Sequence, residues 1–367
     1  MKKVFLYAYD RMNLGDDLFV HTVTKRYPNV KFYMLSKKEN QKTFRELKNL
    51  VVIDKESSFI KLLRRIRPSF VPKYINWIEK RCTAVVYIGG SIFIEYDNWE
   101  QMLTWWDYES KNRPFYVLGA NFGPYTTEAY RNKLAEIFNN MQDVCFREKY
   151  SLDKFSDVSV ARWAPDILFS YDMPKVQQMK KQIFVSLIDC GSRQTGLERL
   201  EQYESDYLTF MKELHEKYMQ EGYTLVLSSF CKSEKDEEAI EKVLSVMDIS
   251  EEHSQVEVLR YDGNNFEKVL CAIAESELVV ASRFHAAILG FVADKPVFPV
   301  FYSDKTLHVL EESGFNGKYA DIRQLAQVDF GFQEEIEKQK LYNIDEIKMQ
   351  SEKHFMKLDE VLGEKRY

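Results

Sequence analysis

Short apolar runs, several of them continuous, alternate with amphipathic stretches along this chain, and that alternation limits its fold more than any other feature. The runs fall at 4–8, 31–35, 50–53, 84–88, 115–118 and 144–146, then again at 182–187, 224–228, 256–259, 278–281 and 297–301. Apolar runs of this length without polar alternation suit parallel strands covered on both faces. Helical stretches at 204–220, 235–246 and 266–275 lie between the later runs. A polar segment at 170–181, containing Pro174, separates the two series. The simplest account is two β/α sheets in tandem. The expected domains are 1–175, 181–330 and a helical tail over 331–367. In the tail, Asn343 and Glu346 have capping-box spacing, and Ile347, Phe355, Leu358 and Leu362 form one apolar stripe. One long helix, crossing the domain junction, is the expectation there.

The balance of residues narrows the class of partner. Net charge is −6, so bulk nucleic acid is not an expected ligand. The five cysteines (Cys82, Cys145, Cys190, Cys231 and Cys271) form no CxxC pair, and three of them lie in or beside apolar runs, which suits buried thiols in a reducing compartment. Lys2 and Lys3 lead directly into a strand and not into an apolar leader, and no window approaches the ~18 apolar residues of a membrane span. A cytoplasmic location is expected. No spacing of His, Cys and acids marks a metal site, and no cofactor is expected.

Chemistry-bearing residues cluster where strands end. Ser282-Arg283-Phe284-His285 follows the run at 278–281 and leads into a helix-like segment. Ligands bind at such places in open α/β sheets, because the loops converge there and helix N-termini favour anions. Arginine is shaped to grip phosphate or carboxylate, and histidine to move a proton near neutral pH. After the first strand comes Asn13-Leu14-Gly15-Asp16-Asp17. Gly15 permits a tight turn, and either aspartate can cap the next helix; alternatively one of them holds or deprotonates a sugar hydroxyl. Gly89-Gly90-Ser91 and Gly119-Ala120-Asn121-Phe122-Gly123-Pro124 also follow strands. Each reads as a structural turn or as a place where a ligand approaches backbone closely. Neither is a P-loop or a dinucleotide fingerprint. Arg147-Glu148-Lys149-Tyr150-Ser151 and Ala164-Pro165-Asp166 repeat the theme.

These elements, in this order over residues 13 to 285, resemble the polysaccharide pyruvyl transferase family, with Ser-Arg-x-His the most specific of them. The family often carries a third glycine where this chain has Ser91. The resemblance implies two Rossmann-like domains facing a cleft, as in GT-B glycosyltransferases. It also implies transfer of the enolpyruvyl unit of phosphoenolpyruvate to two hydroxyls of a saccharide acceptor, giving a cyclic ketal and phosphate. On that reading His285 is the general acid or a phosphate-stabilising imidazolium, and Asp16 and Asp17 serve the acceptor hydroxyls. Arg283 and Arg147 hold the anionic donor. Asn13, Gly15, Gly89, Gly90, Ser91, Asn121 and Ser282 line the substrate. A GT-B-type glycosyltransferase using a nucleotide sugar is the alternative.

Two further features bear on partners. The segment 59–81 carries Lys61, Arg64, Arg65, Arg67, Lys73, Lys80 and Arg81 against Glu79, interleaved with Phe59, Leu62, Leu63, Ile66, Phe70, Tyr74, Ile75 and Trp77. It reads either as a basic helix pair broken at Pro68 and Pro72, or as a surface for anionic membrane, where a lipid-linked acceptor would lie. Trp99, Trp105 and Trp106 read either as sugar-stacking platforms or as core.

Overall fold

The computed structural model describes residues 1–195, 198–327 and 338–363. The chain divides into two compact α/β units. One comprises Met1–Asp10, Asp16–Ile167 and Met349–Tyr367; the other comprises Arg11–Gly15 and Leu168–Lys348. The second unit begins ahead of the polar segment at 170–181, because Leu168, Phe169 and Tyr171 are already buried. The expected boundary near residue 330 lies outside the described residues.

The first unit is built on a parallel sheet. Its order is β3 (Leu50–Asp54), β2 (Lys31–Ser36), β1 (Lys3–Tyr7), β4 (Ala84–Ile88), β6 (Phe115–Phe122), β7 (Asp143–Phe146) and β8 (Ala161–Trp163), with β5 (Ser91–Phe93) beside β6. Helices α1 (Leu14–Arg26), α2 (Ser58–Ile66), α3 (Phe70–Glu79), α4 (Trp99–Asn112), α5 (Glu128–Phe138) and α6 (Lys149–Lys154) connect the strands. Phe5 stands in register with Tyr33 on one side and Val85 on the other. Strands β4, β6 and β7 are almost wholly buried, as suits the apolar residues that make up most of each. Aromatic rings fill the core: Phe138 and Phe155 meet Phe146, and Trp106 lies against Tyr87, Phe93 and Phe115. Trp106 is 7 % exposed, and Trp105 packs on Tyr7, so both belong to the core.

The second unit repeats the plan. Its strands are β9 (Gln182–Ser186), β12 (Thr224–Ser229), β13 (Val256–Arg260), β14 (Leu278–Ala281), β15 (Val297–Phe301) and β16 (Ala320–Asp321), in the order β13-β12-β9-β14-β15-β16, all parallel. A separate two-stranded pair, β10 (Gln194–Thr195) and β11 (Glu198–Arg199), is antiparallel. The helices are α7 (Glu204–Gln220), α8 (Asp236–Met247), α9 (Phe266–Glu275), α10 (Phe284–Val292) and α11 (Asp304–Glu312). Helix α10 sits tightly on the sheet: a Cβ at Gly290 would lie 2.8 Å from Val297 Cγ2. That close seat fixes where the N-terminus of α10, with His285, comes to rest.

The tail is not one helix. It consists of α12 (Ile344–Ser351), a 3₁₀ turn over Glu352–Phe355 and α13 (Met356–Leu362). The turn buries His354 and Phe355 together. His354 Nε2 bonds the Pro165 carbonyl at 2.8 Å, and Ser351 Oγ donates to the Asp166 carbonyl at 2.7 Å. The expected stripe holds nonetheless, since Ile347, Phe355, Leu358 and Leu362 are all buried. From Met349 onward the tail packs with the first unit. There Asp359 accepts two bonds from Arg26, at 3.0 and 2.7 Å, and one from Tyr27 at 2.6 Å. A buried carboxylate survives only with partners of this kind.

Candidate functional site

Parallel pairing delivers the loop after every strand to one edge of its sheet, which is why the motif residues gather. In the second unit, β12 and β14 flank β9, so the loops after all three meet. Asp236 opens α8 just past β12 and is fully buried. Its Oδ2 accepts from the amides of Phe230 and Cys231, both at 2.9 Å, and from Arg283 Nε at 2.9 Å. Arg283 Nη2 also donates to Asp236, and Nη1 donates to Glu234. Arg193 joins the cluster, with Nη2 at 2.7 Å from Glu234 and Nη1 donating to Tyr302 at 3.0 Å. Two guanidiniums therefore balance two carboxylates in a buried cluster. Burial works against the charge on Arg283, but Asp236 and then Glu234 hold its pKa above the ordinary guanidinium value. Burial would likewise raise Glu234, but Arg283 and Arg193 bring it down to about 2.

The same cluster carries the Asn13–Gly15 turn. Leu14 N donates to the Phe230 carbonyl at 3.0 Å, and Asn13 pairs with Cys231 in an antiparallel bridge. Asn13 Oδ1 accepts from Gly15 N at 3.2 Å. Gly15 then lies against His285. A Cβ at Gly15 would stand 1.7 Å from His285 Nδ1, so only glycine admits the imidazole there. His285 is half-buried in the first turn of α10, with the Phe284 ring 5.1 Å from it. Ser282 is buried, sharing a 2.9 Å hydrogen bond with Tyr207 Oη, and its amide donates to Ser186 O at 3.2 Å. The contacts run as a chain from Arg283 through Asp236, the 230–231 segment, Asn13 and Gly15 to His285, and its two ends lie two residues apart in the sequence. The only titratable side chain of the Ser-Arg-x-His motif left half-exposed is His285.

The first unit holds a second cluster. Arg147 is 6 % exposed; it pairs with Asp166 at 3.2 Å and donates to Asn121 Oδ1 at 2.9 Å. Ser91 Oγ donates to the same Asn121 oxygen at 3.2 Å. Gly90 leaves room for the guanidinium, since a Cβ there would lie 2.6 Å from Arg147 Cζ. Gly89 is buried beside it with φ +158°, in the Gly89-Gly90 turn after β4. Asp166 is held in turn by its backbone carbonyl, which accepts from Ser351 in the tail.

Arg283 and Arg147, the expected holders of an anionic donor, are each buried with carboxylate or amide partners, because a lone guanidinium in low dielectric is too costly. Asp17 is 1 % exposed and faces the packed side of α1, whereas Asp16 keeps solvent access. The helix pair over 59–81 breaks at Pro68 only. Pro72 sits in the first turn of α3, where a missing N–H leaves no bond unmade. Sequence reading missed Asp236, Glu234, Arg193 and Tyr207. The first two lie in Lys232-Ser233-Glu234-Lys235-Asp236-Glu237-Glu238, which looks like a solvated helix start. A signal existed in Asp236 at the opening of a helix directly after a strand, the same setting as Asp16. Among the described residues no three His, Cys, Asp or Glu side chains converge as metal ligands do.

Comparison with known proteins agrees with this layout. Over 274 residues the chain is 21 % identical to the amylovoran biosynthesis protein AmsJ of Erwinia amylovora, a match covering 70 % of this chain and 66 % of that protein. The chain thus spans just under two thirds of that relative's length. Among solved structures, Staphylococcus aureus MnaA with UDP superposes with a TM-score of 0.61 at 11 % identity, covering 100 % of this chain and 99 % of that one. Neisseria meningitidis UDP-GlcNAc 2-epimerase bound to UDP-GlcNAc gives 0.60 at 10 % identity, covering 98 % and 100 %. Anabaena Alr3699/HepE, in complex with UDP and glucose, gives 0.57 at 11 % identity, covering 99 % of each chain. At such identities the likeness establishes the fold alone, two Rossmann-like units of the GT-B type. The model of the polysaccharide pyruvyl transferase family matches residues 13–304, from the Asn13 turn past the Ser-Arg-x-His motif, and the chain belongs to that family.

Proposed function

We propose that this protein transfers pyruvate from phosphoenolpyruvate to two hydroxyls of one sugar in a polysaccharide precursor, forming a cyclic ketal and releasing phosphate. Family membership over 13–304 supports the reaction class. The observation that carries the site is the seating of His285 against Gly15, which presents an imidazole at a strand end with no room for another group on that side. His285 gives a proton to the methylene carbon of the donor, leaving C2 electrophilic. One sugar hydroxyl forms a C–O bond to C2 and loses its proton, for which Asp16 is the accessible carboxylate. The C–O bond to phosphate then breaks, and the second hydroxyl closes the ketal, its proton going to His285 and so restoring the acid. Proton transfer by a positioned side chain contributes about 10²–10⁴ in rate.

Arg283 takes part through its outer edge. Its inner nitrogens are committed to Asp236, while Nη1 faces Glu234, whose side chain is 29 % exposed. The donor's phosphate or carboxylate replaces Glu234 there, exchanging one anion for another without uncovering a buried cation. An acceptor carried on a lipid at the cytoplasmic face of a membrane fits this role.

Calorimetry with phosphoenolpyruvate and a panel of nucleotide sugars, followed by acceptor-dependent phosphate release, tests the proposal. Phosphoenolpyruvate binds, and His285→Ala lowers turnover by about 10²–10⁴-fold while leaving the melting temperature near wild type. Binding of a nucleotide sugar in its place would move the protein to the glycosyltransferase reading, and full activity in His285→Ala would remove His285 from the chemistry.

A further inference from the structure

Helix α2 buries very little of itself. Only Ile60 is fully covered, while Phe59, Leu62 and Ile66 are 53, 55 and 62 % exposed. At ~100° per residue these three share one sector of the helix, roughly 60° wide. Trp77, on the neighbouring α3, is 52 % exposed as well. The two helices form one piece, since Phe59 meets the Tyr74 ring edge-on at 5.3 Å and Tyr74 stacks near Trp77 at 6.2 Å. Beside them, Tyr33, Ile53, Tyr74 and Trp77 line a groove of about 190 Å³ whose rim carries Lys3 and Arg81.

The polar residues of this patch are of one sign. Lys61, Arg64, Arg65, Arg67, Lys73, Lys80 and Arg81 are all exposed, and the single acid of the segment, Glu79, is buried. Among the described residues none of these cations pairs with a carboxylate; Arg81 instead lies 3.8 Å over the Trp77 ring. Lys61 and Arg64 fall on the side of α2 away from the apolar sector and Arg65 flanks it, as in helices that lie in a membrane interface. A protein partner of ordinary composition would bring carboxylates of its own to particular cations. A sheet of anionic head groups over acyl chains matches both halves of the pattern without specific pairing. The protein as a whole is acidic, at −6, so its net charge does not produce this attraction. No helix of the described residues is long and apolar enough to cross a membrane.

We infer that the α2–α3 hairpin docks the protein on an anionic lipid surface, with Phe59, Leu62 and Ile66 entering the acyl boundary, Trp77 at the head-group level and the surrounding cations on lipid phosphates. The inference does not depend on the reaction proposed above. It would, however, bring the protein to lipid-borne acceptors.

Vesicle co-sedimentation of the full chain provides the test, using equal parts phosphatidylglycerol and phosphatidylcholine beside pure phosphatidylcholine, at low and high salt. The protein sediments with the anionic vesicles at low salt, and Trp77 fluorescence shifts to the blue. Arg64→Glu with Arg65→Glu weakens binding about fivefold or more for each cation changed. The triple change Phe59→Ser, Leu62→Ser and Ile66→Ser removes the binding that survives high salt. No sedimentation of wild type with anionic vesicles would overturn the inference, as would equal binding by the charge-reversed variant. That variant alters only exposed side chains, so it is informative even if the triple variant folds poorly. If sedimentation velocity shows a dimer that the triple variant abolishes, and vesicle binding is absent, a second copy of the chain covers this face and the lipid assignment is wrong. Transferase activity on a soluble acceptor without vesicle binding would leave the proposed reaction standing and sink this inference alone.

Discussion

Replacing Gly15 with alanine isolates the contribution of His285 placement. The added methyl would lie 1.7 Å from Nδ1, 2.4 Å from Cγ and 2.7 Å from Cε1 of the imidazole. Comfortable contact needs about 3.5–4.0 Å, so the ring must retreat by roughly 2 Å. His285 is half-buried, and its side chain can swing toward solvent without opening the core. Gly15 lies in the first turn of α1 with no left-handed φ, and alanine there gains up to about 1 kcal/mol of helix propensity. The melting temperature therefore stays close to wild type. Turnover does not, because misplacing a catalytic group by about 1 Å already costs on the order of 10²-fold. Phosphate release from phosphoenolpyruvate in the presence of acceptor should fall by about 10²-fold or more. The decisive measurement is the double variant. If Gly15→Ala acts through His285, adding it to His285→Ala lowers activity no further. A Gly15→Ala protein with wild-type turnover, or fully additive losses in the double variant, would refute the link between this contact and catalysis.

Three more outcomes follow from the packing. Gly90→Ala sets a methyl 2.6 Å from the Arg147 guanidinium carbon and should break the Arg147–Asp166 pair, lowering stability by about 3 kcal/mol or more in denaturant titration; an unchanged midpoint would show that the loop shifts freely. Asp236→Asn leaves Arg283 and Arg193 with Glu234 alone in a buried site, and should cost about 3–5 kcal/mol together with donor binding; a stable variant that still binds phosphoenolpyruvate would contradict the cluster's role. Glu109 is buried, and burial first, then neighbouring Glu79, raise its pKa to about 7. The folded state thus holds a proton that the unfolded chain has released. Stability on this account declines as pH rises from about 4.5 through 7 and then levels off. Glu109→Gln should remove most of that decline, raising stability at pH ~8 by roughly 2 kcal/mol and changing it little at pH ~5. Parallel melting curves for the two proteins across that range would reveal no difference if the carboxyl is already ionised.

Much of this molecule was decided locally. The runs at 84–88, 115–118 and 278–281 carry no polar residue, the pattern of a strand covered on both faces. Helices 204–220 and 266–275 stand where periodicity placed them, down to the terminal residue. The motif positions were legible too, since a glycine or a titratable residue directly after an apolar strand marks the sheet edge where parallel strands end. What the sequence could not show was which of those loops face one another, because that depends on strand order. Only the order β12-β9-β14 brings Asp236 to Arg283, residues separated in the chain by four secondary-structure elements. In one dimension Asp236 is one acid among several in a charged helix start, and Arg283 is a free cation. In three dimensions each removes the other's charge from low dielectric, and His285 is the member of its motif left half-open to a ligand. The tail shows the same division. Its apolar stripe is written in the residues, while the break after Ser351 exists because the Asp166 and Pro165 carbonyls lie within reach of Ser351 and His354. Periodicity records which side of a segment is buried, and the fold alone determines which polar groups it meets there.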